Sequence, residues 1–518
     1  MMAAAVLLFL SFASVPLRAQ TSVPAPVRLT EIEQLFAQGR WHEIALLAEA
    51  EPHRSADLNF YYGIALARLQ RWDDAFEAFE AGHRQKPLDK RFPLEMAGVR
   101  FKQNRYAEAA EYLRLALRLD PADAYANDFL ASVYLLQGNL EAALKFWNRV
   151  SKPQIEMLRL EPVPRVDAVL LDRAFAFAPA SVLLLPQLQT TDSRVRGLKI
   201  FTRYRFDLEA RPDGKFDAVF RARERNGWGA NRWEGLLRLF RGLPFQTIHP
   251  EFFNIGRRAI NFESLVRWDA QKRRFRANLS GPLSRDAKRR YQFDLDLRNE
   301  NWELHRLFTD PDTSIGGLDL HKRAFTASVT SVVNGRLDWS TGVELSHRDL
   351  RDVTARAALA PELLAQGFQL KHLGQLNYEL ARVPEKRFSL ASSASTQLGR
   401  IWSRPSHLFA KLQGLIEARW YPQASGDDFH MQASVRAGKT FGEIPFDELF
   451  ILGIERDNDL RLRSHIGTRN GRKGSAPLGR NYFLSNWEID KNIYGNGLIS
   501  LKLGPFLDSG KITDPSPD

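Results

Sequence analysis

From residue 56 to residue 153 the chain repeats itself every 34 positions. Ala75, Ala109 and Ala143 share one position of the repeat, and Gly63, Ala97 and Ala131 share a second. Tyr62, Met96 and Leu130 share a third; Trp72, Tyr106 and Leu140 a fourth; Phe79, Leu113 and Trp147 a fifth. Pro87 and Pro121 close two of the units. A fixed period of this kind means like units stacked on one another. Small residues at fixed positions mark where neighbouring elements approach closely. The repeats fill only part of a 518-residue chain, which is too long for one ordinary domain.

The repeat resembles the tetratricopeptide repeat, a helix–turn–helix unit of that length. A degenerate first unit covers residues 29–52, where Gly39-Arg40-Trp41 echoes Gln70-Arg71-Trp72. The array, residues 28–153, is expected to be an α-solenoid, because one unit alone cannot bury its apolar face. The resemblance implies a concave surface that docks client or accessory proteins, with a spacer or packing platform as the alternative. No residue in it identifies a ligand.

Pro153, Pro162 and Pro164 mark a linker. The apolar run 166–177 is expected to be a strand leading into a helix, and 182–198 a second helix. Two alternating runs, 202–208 and 216–222, flank Pro212-Asp213-Gly214 and predict a hairpin. This order over residues 165–226 resembles the POTRA modules that precede assembly-type outer-membrane barrels.

After Trp228 the period changes to two. Tyr291, Phe293, Leu295 and Leu297 alternate with Gln292, Asp294, Asp296 and Arg298. The same holds for 407–420 and 429–436, and Asn334-Gly335 sits between two such runs as a tight hairpin turn. A soluble β-protein also alternates. Three features favour a membrane barrel: strands beyond ten residues, aromatics near strand ends at Trp402, Trp420, Tyr421 and Tyr494, and a leader ahead of them. The leader is Met1-Met2-Ala3-Ala4-Ala5-Val6-Leu7-Leu8-Phe9-Leu10, without Lys or Arg, and signal-peptide cleavage is expected after Ala19. Aromatic content fits as well, since eight of the 11 Trp lie after residue 227.

The absence of cysteine removes thiolate metal sites and Cys nucleophiles. The net charge of +12 comes from Lys and Arg spread through the alternating strands, not from one basic tract, so no nucleic-acid partner is expected. Residues 467–475 do not have the spacing of a phosphate-binding loop. Asp457-Asn458-Asp459 lacks the Gly and distal Glu of a calcium loop. No nucleophile–base pair or metal cluster is found, so neither an enzyme nor a cofactor is expected.

Strand parity singles out the last part of the chain. Asn486, Glu488 and Asp490 oppose the apolar Phe483, Trp487 and Ile489; in the final strand Phe506, Asp508 and Gly510 share the face opposite Leu501 and Leu503. If the polar face is the lumen, Glu488 and Asp508 both point inward. An Arg on the long loop before them, about residues 441–480, would then find two acceptors, and its planar fork suits them better than Lys.

The segment Leu462-Arg463-Ser464-His465 matches the loop-tip motif (Val/Leu)-Arg-Gly-(Phe/Tyr), and Phe506-Leu507-Asp508-Ser509-Gly510 matches Phe-x-Asp-x-Gly. The lead-in Glu443-Ile444-Pro445-Phe446-Asp447-Glu448-Leu449-Phe450 looks like the approach to that loop. On these motifs residues 228–518 resemble the outer-membrane assembly and translocation barrel superfamily, the type of the BamA insertase and the two-partner-secretion transporters, with bacterial surface antigen-like character. Ser464 and His465 depart from the motif, and a Ser at a Gly position predicts strain if φ must be positive.

The resemblance implies an α + β multidomain chain: a tetratricopeptide α-solenoid, then a transmembrane antiparallel β-barrel. About 13 strands are read, ten or eleven of them before the long loop, where the resemblance implies 16, so the barrel is expected to be incomplete at its C-terminus. The implied function is insertion or translocation of polypeptides from the cell outer membrane, in contact with its lipid and with the repeats in the periplasm. A passive pore or secretion channel with a docking module is the alternative, and a soluble interaction scaffold the third reading.

Overall fold

Helices in one stretch and long strands in another follow from the change of period. A computed structural model describes residues 29–305, 314–355, 361–422, 429–455, 457–495 and 500–513. The leader expected at residues 1–19 lies outside the described residues. The chain divides into two compact units after Pro121.

The first unit is helical: α1 (Leu29–Ala37), α2 (Trp41–Glu49), α3 (Ala56–Arg68), α4 (Trp72–Gln85), α5 (Arg91–Lys102) and α6 (Tyr106–Leu119). Ala75, Ala97 and Ala109 are fully buried where helices cross. Gly63 lies against Phe79, and an added Cβ would stand 2.6 Å from its ring; at Gly82 the Phe92 ring would be 2.2 Å away. Gln70, Asn104 and Gly138, again 34 apart, all take a positive φ just ahead of the second helix of their units.

The second unit begins with the last repeat pair, α7 (Ala124–Leu136) and α8 (Leu140–Trp147), where Ala131 and Ala143 are fully buried. The expected array of 28–153 is thus divided after Pro121. Helix α8 is tied to a sheet turn: Arg382 donates to both Glu141 oxygens at 2.8 and 2.6 Å, and Lys145 meets Glu385 at 2.6 Å.

Next comes a four-stranded sheet: β1 (Gln154–Glu161), α9 (Ala168–Ala174), β2 (Ser181–Val182), α10 (Leu185–Leu198), β3 (Phe201–Ala210) and β4 (Phe216–Glu224), in the order β2-β1-β4-β3 with β1 and β4 parallel. The module starts earlier than the expected residue 165. Of the strand leading into a helix expected over 166–177, only the helix is present, as α9. Asp167 caps it by accepting from the Val169 and Leu170 amides, and an apolar run of that length does not by itself separate strand from helix. The strand is β1, bracketed by Pro153 and Pro162.

Beyond α11 (Arg232–Phe240), strands β5 (Thr247–Ile248) and β6 (Glu251–Ile255) share one edge position against β7 (Ile260–Asp269). An antiparallel meander follows: β8 (Lys272–Leu283), β9 (Asp286–His305), β10 (Ser314–Val332), β11 (Leu337–Ala355), β12 (Gly367–Val383), β13 (Phe388–Trp402), β14 (His407–Trp420) and β15 (Phe429–Gly442). The long loop carries the two-residue strands β16 (Phe450–Ile451), β17 (Thr468–Arg469), β18 (Arg472–Lys473) and β19 (Leu478–Gly479). Strand β20 (Asn481–Gly495) then pairs β15, and β21 (Ser500–Leu503) and β22 (Phe506–Thr513) share its other side. Among the described residues the ladder has ten positions before the loop and two after it. Trp302 belongs to β9.

One face of the sheet is apolar and exposed: Phe293, Leu295, Phe325, Leu345, Leu412, Ile416, Phe483 and Trp487 all lie on it. The other carries buried charge, such as Asp294 and Asp296, which accept from Arg276 and Arg274 of β8. The module meets the short turns at one end of the sheet: the Gly335 amide donates to Thr190 at 3.0 Å, and the Asp167 amide to the Arg257 carbonyl at 2.7 Å.

Candidate functional site

The loop between β15 and β20 lies across the charged face and touches strands from β7 to β22, so the sheet curves around it. Its entry is apolar. Ile444, Phe446 and Leu449 are buried against Trp302, Leu320, Leu350, Ile401 and Phe409.

Asp447 and Glu448 then meet three strands at once. Lys322 of β10 donates to both, at 2.9 and 2.8 Å. Arg348 of β11 reaches Asp447 at 3.2 Å and Gln369 at 2.8 Å. Lys371 of β12 lies 3.1 Å from both Glu448 oxygens. Burial pushes the Glu448 carboxyl up, but Lys322, Lys371, Arg348 and Lys411 outweigh it and hold it well below the ordinary range.

A second cluster forms around Asp457. Arg267 of β7 and Arg274 of β8 pair with it at 3.2 and 2.5 Å, and Lys473 of the loop bridges it to Glu300 of β9 at 3.0 and 2.7 Å. Burial again works upward, and Lys473, Arg274 and Arg267 overcome it, leaving Asp457 ionised far below its usual value. Beside the loop, a polar cavity of about 660 Å³ is lined by residues including Arg276, Thr326, Ser340, Gln375 and Thr396.

The third contact is at the loop tip. Arg463 wraps around Asp508: its amide and Nε donate to Oδ2 at 3.0 and 2.8 Å, and Nη2 donates to Oδ1 at 2.7 Å. Nη1 pairs with Glu488 Oε1 at 2.7 Å. The guanidinium stands 3.8 Å above the centre of the Phe506 ring. Asn486 donates to Asp508 Oδ1 at 2.8 Å and to the Arg461 carbonyl at 2.9 Å, which ties strand to loop a second time.

Leu462 is buried with Phe450, Leu452, Leu460, Tyr482, Leu484 and Ile512. It packs over Gly510, where an added Cβ would lie 3.5 Å from it and 3.3 Å from Leu452 and Leu484. The Ser464 hydroxyl bonds to His465 Nδ1 at 2.8 Å, and the His465 amide donates to the Leu462 carbonyl at 3.0 Å. Ser464 does not take a positive φ, so the expected strain is absent.

The structure therefore brings Leu462, Arg463, Glu488, Phe506, Asp508 and Gly510 together, with Ser464 and His465 forming the turn. Residues 63, 75, 97, 109, 131 and 143 are packing positions away from this site. Sequence reasoning put Asn486 on the polar face and Asp447 and Glu448 in the lead-in, but missed their contacts, those of Asp457, and the strand cations that hold them. A usable signal was present: Lys322, Arg348 and Lys371 all lie on the inward parity of long strands. Among the described residues no group of three or more His, Cys, Asp or Glu could hold a metal ion.

The tetratricopeptide-repeat family profile matches residues 100–154. No curated protein matches the chain. Among solved structures, the chain is similar to BamA from Haemophilus ducreyi lacking POTRA domains 1–3, at 11% identity and a TM-score of 0.38, covering 70% of this chain and 72% of that one. It is also similar to CdiB from Escherichia coli, at 13% identity and a TM-score of 0.45, covering 71% of this chain and 67% of that one. The helical part is similar to MamA, at 14% identity and a TM-score of 0.23, over 23% of this chain and 72% of that chain. The fold is a helical-repeat region followed by a large antiparallel sheet.

Proposed function

We propose that the chain is an outer-membrane barrel protein that inserts or translocates polypeptides, with its repeats docking client or accessory proteins in the periplasm. One observation carries this reading: a long charged loop fills the inner face of a sheet whose outer face is apolar, and it is latched there by Arg463. A wall that is apolar outside and charged inside suits a bilayer around it and water within. A latch of charged groups holds the loop in one arrangement and can be exchanged for another without unfolding the wall.

Orientation follows from loop length. Short turns at one end and longer loops at the other fit periplasmic and extracellular sides respectively. Residues 154–224, on the short-turn side, would then be a POTRA-like periplasmic module, and the repeats would precede it there. Residues 1–19 would be the leader that exports the chain. No bond-breaking chemistry or cofactor enters this reading.

The test is depletion of the protein from the native envelope, with complementation by wild type or Arg463→Ala. The expected result is that outer-membrane or surface polypeptides fall on depletion and are restored only by wild type. The polar cavity beside the loop favours a second reading, a passive channel. Stable single-channel conductance from the purified protein, with polypeptide levels unchanged on depletion, would establish the channel and overturn the transport reading.

A further inference from the structure

Helix α11 is built inside-out. Asn231 caps it by accepting from the Glu234 amide at 2.7 Å. The side turned to the protein is polar. Glu234 is 5% exposed and accepts from Arg225 and from the Ala230 amide, both at 3.2 Å. Gly235 packs so tightly that an added Cβ would stand 2.9 Å from Trp228 Cβ. Arg238, and Arg241 just beyond the helix, each donate to Glu251 of β6 at 2.6 Å.

The apolar side points away. Trp233 is 75% exposed, and Leu236, Leu237 and Phe240 lie beside it at helical spacing, all exposed. The patch continues through exposed Leu243 and Phe245. In water a helix turns its apolar stripe to the core and its charges out; this one turns its apolar stripe out, with Glu234 and Arg238 already partnered on the inner side.

The patch is continuous with the outer face of the sheet. The Trp228 and Phe252 ring centres are 4.1 Å apart. Phe252 is in register with Phe262, Phe262 with Leu279, and Leu279 with Phe293. An unbroken apolar row therefore runs from the foot of α11 into the exposed wall. The exposed Arg232 sits at the start of the helix, where a phosphate headgroup would be within reach of its charge.

We infer that α11 is a lipid-contacting helix. Its Trp233–Leu236–Leu237–Phe240 face inserts at the bilayer boundary and seats the β5–β6 edge of the sheet in the membrane. This rests on the reading that the wall lies in a bilayer, and the experiment separates the two.

The chain has no cysteine, so single ones report cleanly. The full-length variants Leu237→Cys, Phe293→Cys on the wall and Glu77→Cys on a water-exposed helix surface carry an environment-sensitive fluorophore. Each is reconstituted in phosphatidylethanolamine–phosphatidylglycerol vesicles and quenched by nitroxide-bearing acyl chains or by aqueous iodide. The expected result is that positions 237 and 293 are quenched by the lipid nitroxide and shielded from iodide, while 77 shows the reverse. Iodide access at 237, or shielding from both quenchers as a covering protein surface would give, overturns the inference while 293 still reports lipid. If 293 itself fails to report lipid, the membrane reading falls and the inference with it. Trp233→Cys gives the same readout should Leu237→Cys not fold.

Discussion

The helical array buries apolar side chains, whereas the sheet buries charged ones alongside its apolar clusters. In the first unit the largest fully buried side chains are apolar, among them Phe79, Phe92 and Leu113, with Ala75, Ala97 and Ala109 beside them. Its ion pairs, such as Arg40 with Glu43 and Arg71 with Asp74, are on the surface. In the sheet Arg348 is 1% exposed and Glu300 is 0% exposed, while Leu345, Ile416 and Trp487 face outward. Hydrophobic burial from water drives the first arrangement. The second is stable where the outside is not water, and there buried charges must be fully paired. On the proposed reading, a single chain is built for two solvents.

The comparison breaks most readily at Glu448. Replacing it by Ala leaves Lys322, Lys371 and Arg348 short of counter-charge, which costs about 3–5 kcal/mol for a buried pair broken from one side. Glu448→Ala is expected to lose the heat-modifiable folded band on a gel. A normal band would mean that the charged cluster does not hold the wall.

Packing should dominate in the array. Gly82→Leu must displace the Phe92 ring, and overpacking of this kind costs about 1–3 kcal/mol. The helical unfolding midpoint should fall while the sheet keeps its heat-modifiable mobility. Arg40→Ala, at an exposed pair, should change that midpoint little, since such pairs contribute about 0–1 kcal/mol.

The smallest expected effect is that of mild acid. The folded-state pKa values of Glu448 and Asp457 are depressed. Their contribution is therefore complete above the ordinary carboxylate range and is lost only as pH falls through the lowered folded values. Protease cleavage within residues 443–480 should be as slow at pH 5.5 as at pH 7.5. Faster cleavage at pH 5.5 would place the carboxylates outside these clusters.

How much of this was legible depended on the range of each interaction. Period-two alternation put Phe293 and Asp294 on opposite faces, because a strand maps sequence directly onto sides. Parity and two motifs together singled out Arg463, Glu488 and Asp508. The partnership of Lys322 with Glu448 was not legible: the residues are 126 apart, and nothing local says which inward cation a loop carboxylate will reach. The apolar run at 166–177 misled only in its expected leading strand, because its length suits helix or strand and the Asp167 cap starts the helix at once. The division after Pro121 was hidden because the repeat pattern runs through it, while the α8 contacts to Arg382 and Glu385 depend on a turn far along the chain.

The loop is held in the sheet through Arg463 and Asp508. A double-mutant cycle of Arg463→Ala and Asp508→Asn, read as the midpoint of heat-modifiable mobility, tests it most directly. If the contact exists, the two changes are coupled by about 0.5–3 kcal/mol, so the double mutant is less impaired than the sum of the singles. Fully additive effects would mean that the two residues do not meet.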